Sequence, residues 1–99
     1  MAIRATSTKF DKMIFTGSTE KGALVAQAAA KNLVPCILEL GGKSPCIVDK
    51  GADLAYAASK ITFSSFYNFG QTCTRPDYVL VDYTLANQFV DELKLKIKI

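Results

Sequence analysis

Short apolar runs alternate along the chain with longer amphipathic or alanine-rich segments, the pattern of strands interleaved with helices. Lys12-Met13-Ile14-Phe15-Thr16, closed by Gly17, predicts a buried strand. Ser18 then stands where a helix N-cap belongs, and Glu20 falls in the first turn, where an acid complements the positive helix end. The alanine-rich stretch from about Thr19 to Asn32 has the propensity to form that helix. Pro35 ends the connection, Cys36 to Leu40 reads as the next strand, and Gly41-Gly42 breaks it. Pro45 to Asp49 predicts a further short strand. Asp53 starts a second helix with Leu54, Ala57, Ala58 and Ile61 at spacings of three and four, running to about Asn68 before Gly70 ends it. Tyr78 to Val81 alternates as a strand, and from about Thr84 a last amphipathic helix carries Leu85, Phe89 and Leu93. Strands alternating with helices imply an α/β fold.

Composition narrows the classes of function. In 99 residues, 49% apolar content is enough to form a core. A net charge of +3 is too small for a nucleic-acid surface, and the one cluster of cations, Lys94, Lys96 and Lys98, reads as a solvated last helical turn, where cations suit the negative helix end. Met1-Ala2-Ile3-Arg4-Ala5 includes no apolar run long enough for a signal peptide, and no stretch approaches the roughly 20 apolar residues of a membrane span. A soluble, cytoplasmic protein is therefore expected. Three cysteines without a Cys-x-x-Cys pair, and no histidine, argue against a disulfide framework and against a metal, and fit a reducing compartment.

The absence of histidine also shapes the candidate chemistry, because the usual activator of a nucleophile is missing and a carboxylate must replace it. Glu39 is embedded in an apolar run, Ile37-Leu38 before it and Leu40-Gly41-Gly42 after it. Burial there would raise its pKa towards neutrality and fit it for general-base work; a buried ion pair with Lys43 is the structural alternative. Cys36 and Cys46 lie in apolar runs and read as small buried hydrophobes. Cys73 instead follows Asn68-Phe69-Gly70-Gln71-Thr72 and precedes Arg75, a polar setting that leaves a thiol accessible and near a cation. Thr16-Gly17-Ser18, on a strand-to-helix turn, offers free backbone N–H groups to a phosphate, or is simply a capped turn. Gly41-Gly42 would let a flat ring lie against the backbone, although a tight turn explains those glycines equally well. Phe63, Phe66, Tyr67 and Phe69 suggest core packing or the wall of a substrate site.

Three motifs in order, Phe15-Thr16-Gly17-Ser18-Thr19, Leu38-Glu39-Leu40-Gly41-Gly42-Lys43-Ser44-Pro45 and Gly70-Gln71-Thr72-Cys73, resemble the middle of an aldehyde dehydrogenase. The flanking Lys9-Phe10-Asp11, Pro45-Cys46-Ile47-Val48-Asp49 and Pro76-Asp77-Tyr78-Val79-Leu80 are similar to the class 3 and fatty aldehyde dehydrogenase branch. The resemblance runs from about Lys9 to the last residue, a fraction of the family's length. It implies an α/β fragment in which residues 1–38 end a Rossmann-like NAD(P)-binding domain and residues 39–99 begin the catalytic domain. It further implies Cys73 as nucleophile, Glu39 as general base, cofactor contacts at Gly17, Ser18, Leu40 and Gly41, NAD or NADP as cofactor, a small-molecule aldehyde as substrate, and a homodimer of the full-length protein. Folding is then expected to bring Cys73 and Glu39 to one reacting carbon beside the nicotinamide. Arg75 departs from the branch, where a small residue is usual, and would either favour the thiolate or narrow the aldehyde tunnel.

The family's upstream asparagine, its adenosine-ribose contacts and its downstream glutamate all lie outside these residues, so the isolated chain is expected to be inactive. A non-catalytic remnant, alone or paired with a full-length subunit, is the competing expectation. A free-standing thiol redox module is a weaker third, since Cys73 has no resolving cysteine near it in sequence.

Overall fold

The computed structural model describes residues 8–98; Met1-Ala2-Ile3-Arg4-Ala5, read above for a leader, lies outside them. The chain forms two compact units that divide after Gly41. Each is built on one parallel strand pair joined through a helix, because strands that run the same way cannot be closed by a tight hairpin.

The first unit consists of β1 (Met13–Thr16), α1 (Thr19–Lys31) and β2 (Cys36–Glu39). Met13 pairs with Cys36 and Thr16 with Glu39, in unbroken register. Side chains alternate along both strands, so Met13, Phe15, Cys36 and Leu38 are sheltered while Ile14, Thr16, Ile37 and Glu39 are exposed. Buried Ala28 and Ala29 supply the helix's contribution to this small core. Ser18 caps α1 as its sequence position suggests, its Oγ accepting from the Lys21 N–H at 3.3 Å. The helix ends at Lys31 because Leu33 turns left-handed (φ 53°), letting the Leu33 and Val34 N–H groups donate to the carbonyls of Ala30 and Ala29.

The second unit consists of β3 (Ser44–Val48), α2 (Leu54–Phe66), β4 (Pro76–Val81) and α3 (Ala86–Ile97). Its core is Val48 from β3, Leu54, Ala58 and Ile61 from α2, and Phe89 from α3, which is 2% exposed. Three of the four α2 residues picked out by helical spacing are thus buried, and Ala57 packs against them half-buried. Asp53 caps the helix, its Oδ1 accepting from the Tyr56 N–H at 3.0 Å. Among the described residues no helix is long and apolar enough to cross a membrane.

Strand ends in β1, β2 and β3 shift by one residue from the sequence expectation, and three boundaries shift by two, each for a local reason. Helix α2 stops at Phe66 rather than Asn68, because Asn68, Phe69 and Gly70 adopt consecutive positive φ values of 52°, 57° and 75° in a tight left-handed turn. Asn68 holds that turn, its Nδ2 donating to the Gln71 carbonyl at 3.1 Å and its carbonyl accepting the Gln71 N–H at 3.1 Å. Strand β4 starts two residues early, at Pro76, a residue tolerated in a sheet at the first strand position. Helix α3 starts late, at Ala86, because Asp82 first binds both the N–H and the hydroxyl of Thr84 in a turn of its own.

Because Phe89 fills the space between helices and sheet, Phe89→Ala is expected to cost about 3–5 kcal/mol. That is a large share of the stability of a small domain. Urea denaturation followed by circular dichroism should show the cooperative transition moved to markedly lower urea.

Candidate active site

The first unit gathers five of the sequence-derived candidates at one place. The pairing of Thr16 with Glu39 is extended by the Gly17 N–H, which donates to the Glu39 carbonyl at 3.0 Å. The Gly17–Ser18 turn therefore lies beside Glu39, Leu40 and Gly41 at the carboxyl ends of both strands, where open parallel sheets hold their ligands. The Gly17 N–H is consumed by this bond and is not a free donor. At Ser18 the carbonyl accepts the Gly22 N–H at 2.8 Å, opening the helix, while its hydroxyl proton remains available. Helix geometry leaves the N–H groups of Thr19 and Glu20 without helical acceptors. Leu40 faces α1: a Cβ placed on Gly22 would fall 2.7 Å from its Cδ2. Around Gly41 the same test meets open space.

Glu39 requires a correction. Its apolar sequence neighbours suggest a buried carboxylate, but it is exposed, because strand alternation puts it on the open face of the sheet with Ile37 and Ile14. The expected partner is also engaged elsewhere, since Lys43 Nζ reaches Asp77 Oδ2 at 3.0 Å within the second unit.

Cys73 sits at the corner of the Thr72–Arg75 turn, closed by the Arg75 N–H donating to the Thr72 carbonyl at 3.2 Å, and its side chain is exposed. Cys36 and Cys46 are half-buried, as small apolar side chains in strands. The turn rests on the residues that lead into β3. A Cβ on Gly42 would lie 2.5 Å from the Cys73 carbonyl oxygen, so only glycine permits this approach. Ser44 Oγ then donates to the same oxygen at 3.5 Å. Phe63, Tyr67, Thr72, Thr74, Arg75 and Pro76 line an open cleft of about 330 Å³ in this unit. Arg75 enters its wall with the guanidinium already bound, Nη2 to Asp77 Oδ1 at 3.1 Å and Nη1 to the Pro76 carbonyl at 3.3 Å.

The aldehyde dehydrogenase family pattern matches residues 3–98. The chain belongs to the aldehyde dehydrogenase family. It is 52% identical over 90 residues to the dimeric NADP-preferring aldehyde dehydrogenase of Rattus norvegicus, covering 91% of this chain and 20% of that protein. Against aldehyde dehydrogenase family 3 member A2 of Mus musculus the identity is 47% over 90 residues, covering 91% and 19%. An aldehyde dehydrogenase of Pseudomonas syringae, solved with NAD+ and octanal, superposes with a TM-score of 0.84 at 34% identity, over 96% of this chain and 20% of that one. The chain thus spans about a fifth of the length of these relatives and is an α/β fragment of the aldehyde dehydrogenase fold.

Sequence reasoning passed over Asp77 and Ser44 in this aldehyde dehydrogenase fragment. An acid at the head of an apolar strand, two residues from an arginine, was the available signal for Asp77, because strands disfavour Asp without a partner. The hydrogen bond from Lys43, helped by the positive charges of Lys43 and Arg75, holds the Asp77 carboxyl below its ordinary value of 3.8. A carboxyl depressed only in the folded state stabilises the fold above its unfolded pKa, and this contribution disappears as pH falls through the folded value. The second unit should therefore lose stability on acidification below about pH 4, and Asp77→Asn should flatten that acid limb. Urea midpoints measured at neutral pH and in acid, for both proteins, check the difference in slope.

Proposed function

We propose that this chain supplies the nucleophile and the general base for NAD(P)-dependent oxidation of a small-molecule aldehyde to a carboxylic acid. The observation that carries the reading is Cys73, exposed at the corner of a tight turn whose backbone is seated against Gly42, in a member of the aldehyde dehydrogenase family. Residues 1–38 would belong to the cofactor-binding domain and residues 39–99 to the catalytic domain of a cytoplasmic, homodimeric whole protein. One similar protein is named as dimeric and NADP-preferring, and another was solved with NAD+ and octanal.

The end of β1 fits one phosphate of a dinucleotide. The Thr19 and Glu20 N–H groups have no helical acceptor, the Ser18 hydroxyl can donate, and Gly41 leaves open space beside the strand ends. Gly17, Ser18, Leu40 and Gly41 are the residues assigned to hold NAD or NADP, with Leu40 acting through its packing on Gly22. When bound, NAD or NADP would supply the hydride acceptor that the oxidation requires.

Cys73 adds as thiolate to the aldehyde carbonyl, and its own main-chain N–H is assigned as a donor to the resulting oxyanion. After oxidation the same sulfur holds an acyl group as a thioester. Glu39 takes a proton from the water that attacks this thioester, releasing the acid and restoring the thiolate. The open position of Glu39 in its own unit leaves it accessible to that water.

In the complete protein, Cys73→Ala should abolish aldehyde oxidation. Glu39→Gln should stop after acylation, giving one burst of reduced cofactor per site followed by little turnover, and normal steady-state turnover by this variant would remove the base assignment. The 99-residue chain by itself should reduce no NAD(P)+ in an absorbance assay at 340 nm.

A further inference from the structure

We propose that Asp77 is a positioning residue for Cys73: by bridging Lys43 and Arg75 it holds the turn carrying the thiol against the Gly42–Ser44 segment. The inference rests on Cys73 being the nucleophile.

Asp77 occupies an irregular place in the sheet. Ser44 pairs with Pro76 and Pro45 with Tyr78, so Asp77 is an extra residue with no partner across the strand pair. Such bulges break the ladder and redirect a side chain, and they are frequent beside active sites. Here the redirected carboxylate receives two cations from different parts of the chain, Lys43 at 3.0 Å on Oδ2 and Arg75 at 3.1 Å on Oδ1.

Both cations adjoin the Cys73 backbone. Lys43 lies between Gly42, whose bare Cα faces the Cys73 carbonyl, and Ser44, whose hydroxyl donates to it. Arg75 closes the Cys73 turn through its own N–H. It is anchored a second time by Nη1 on the Pro76 carbonyl, an oxygen that also accepts Ser65 Oγ at 3.3 Å. Asp77 is therefore the link between the segment under the turn and the turn's last residue. Without its charge, two cations face one another and repel.

The bridge is poorly suited to a purely stabilising role. The Lys43 side chain is 83% exposed, so its pair with Asp77 adds only the small, pH-dependent increment that the acid limb reads. Its main effect is geometric: it fixes where the turn sits.

The test compares Asp77→Asn, Asp77→Glu and Lys43→Met. In the 99-residue chain, amide hydrogen exchange read by NMR should accelerate about ten-fold at the Arg75 N–H in the Asn and Met variants, while core amides such as Ala58 and Phe89 keep their rates. In the complete protein, Asp77→Asn should lower kcat by about ten-fold with little change in aldehyde KM, and Asp77→Glu should restore most of kcat. Unchanged exchange at Arg75, or equal acceleration in the core, overturns the proposal, as does an unchanged kcat in an active enzyme. If the complete protein oxidises no aldehyde, the assignment of Cys73 fails separately, and the exchange measurement still decides whether Asp77 orders the turn.

Discussion

Parallel strand pairing is the constraint on which both units depend. Two strands that run the same way have matching ends on the same edge, and the chain must travel through a helix to return there. In the first unit this returns Glu39-Leu40-Gly41 to the Gly17–Ser18 turn after the excursion through α1. In the second it returns the Cys73 turn to Gly42-Lys43-Ser44 after the excursion through α2. The candidates of the first unit cluster at the carboxyl ends of its strands, whereas Cys73 of the second precedes β4. The segment Glu39–Ser44 carries the last candidates of the first unit and the first residues of the second, which is why one short sequence motif is so dense in candidate chemistry.

Around Cys73 the contacts are mostly made by main-chain atoms, and this sets which side chains are allowed nearby. Gly42 is required because a carbonyl oxygen occupies the place of its Cβ. Gly70 is required because its φ of 75° is left-handed and the Ser65 carbonyl stands 3.1 Å from where a Cβ would be. Phe69, with φ 57° and almost wholly exposed, carries backbone strain without the packing that would offset it. The segment that leads into the Cys73 turn thus holds Asn68 and Phe69 at left-handed φ before Gly70, Gly42 lies beneath the turn, and the ion bridge through Asp77 fastens it.

The fold was largely legible because periodicity is a local property. Ser18 and Asp53 mark helix starts by their capping chemistry, and Leu54, Ala58 and Ile61 mark the buried helix face by spacing alone. What failed was burial read from neighbours in sequence. Glu39 is flanked by leucines and isoleucine yet exposed, because adjacent strand residues face opposite ways and the helix covers only one face. Of the site, the exposed Cys73 was visible in its polar context, whereas the Asp77 bridge was not, because one of its two cations, Lys43, comes from the distant segment before β3 and meets it through a bulge that periodicity does not encode.

The alternation that exposes Glu39 also leaves isoleucine and leucine uncovered. Ile14 stands opposite Ile37 across the first strand pair, and Ile47 opposite Leu80 across the second, each pair forming a greasy strip on a two-stranded sheet with open edges. Strips of this kind reward contact with any apolar surface, including another molecule of the same sequence. In the free polypeptide such strips would favour self-association as concentration rises.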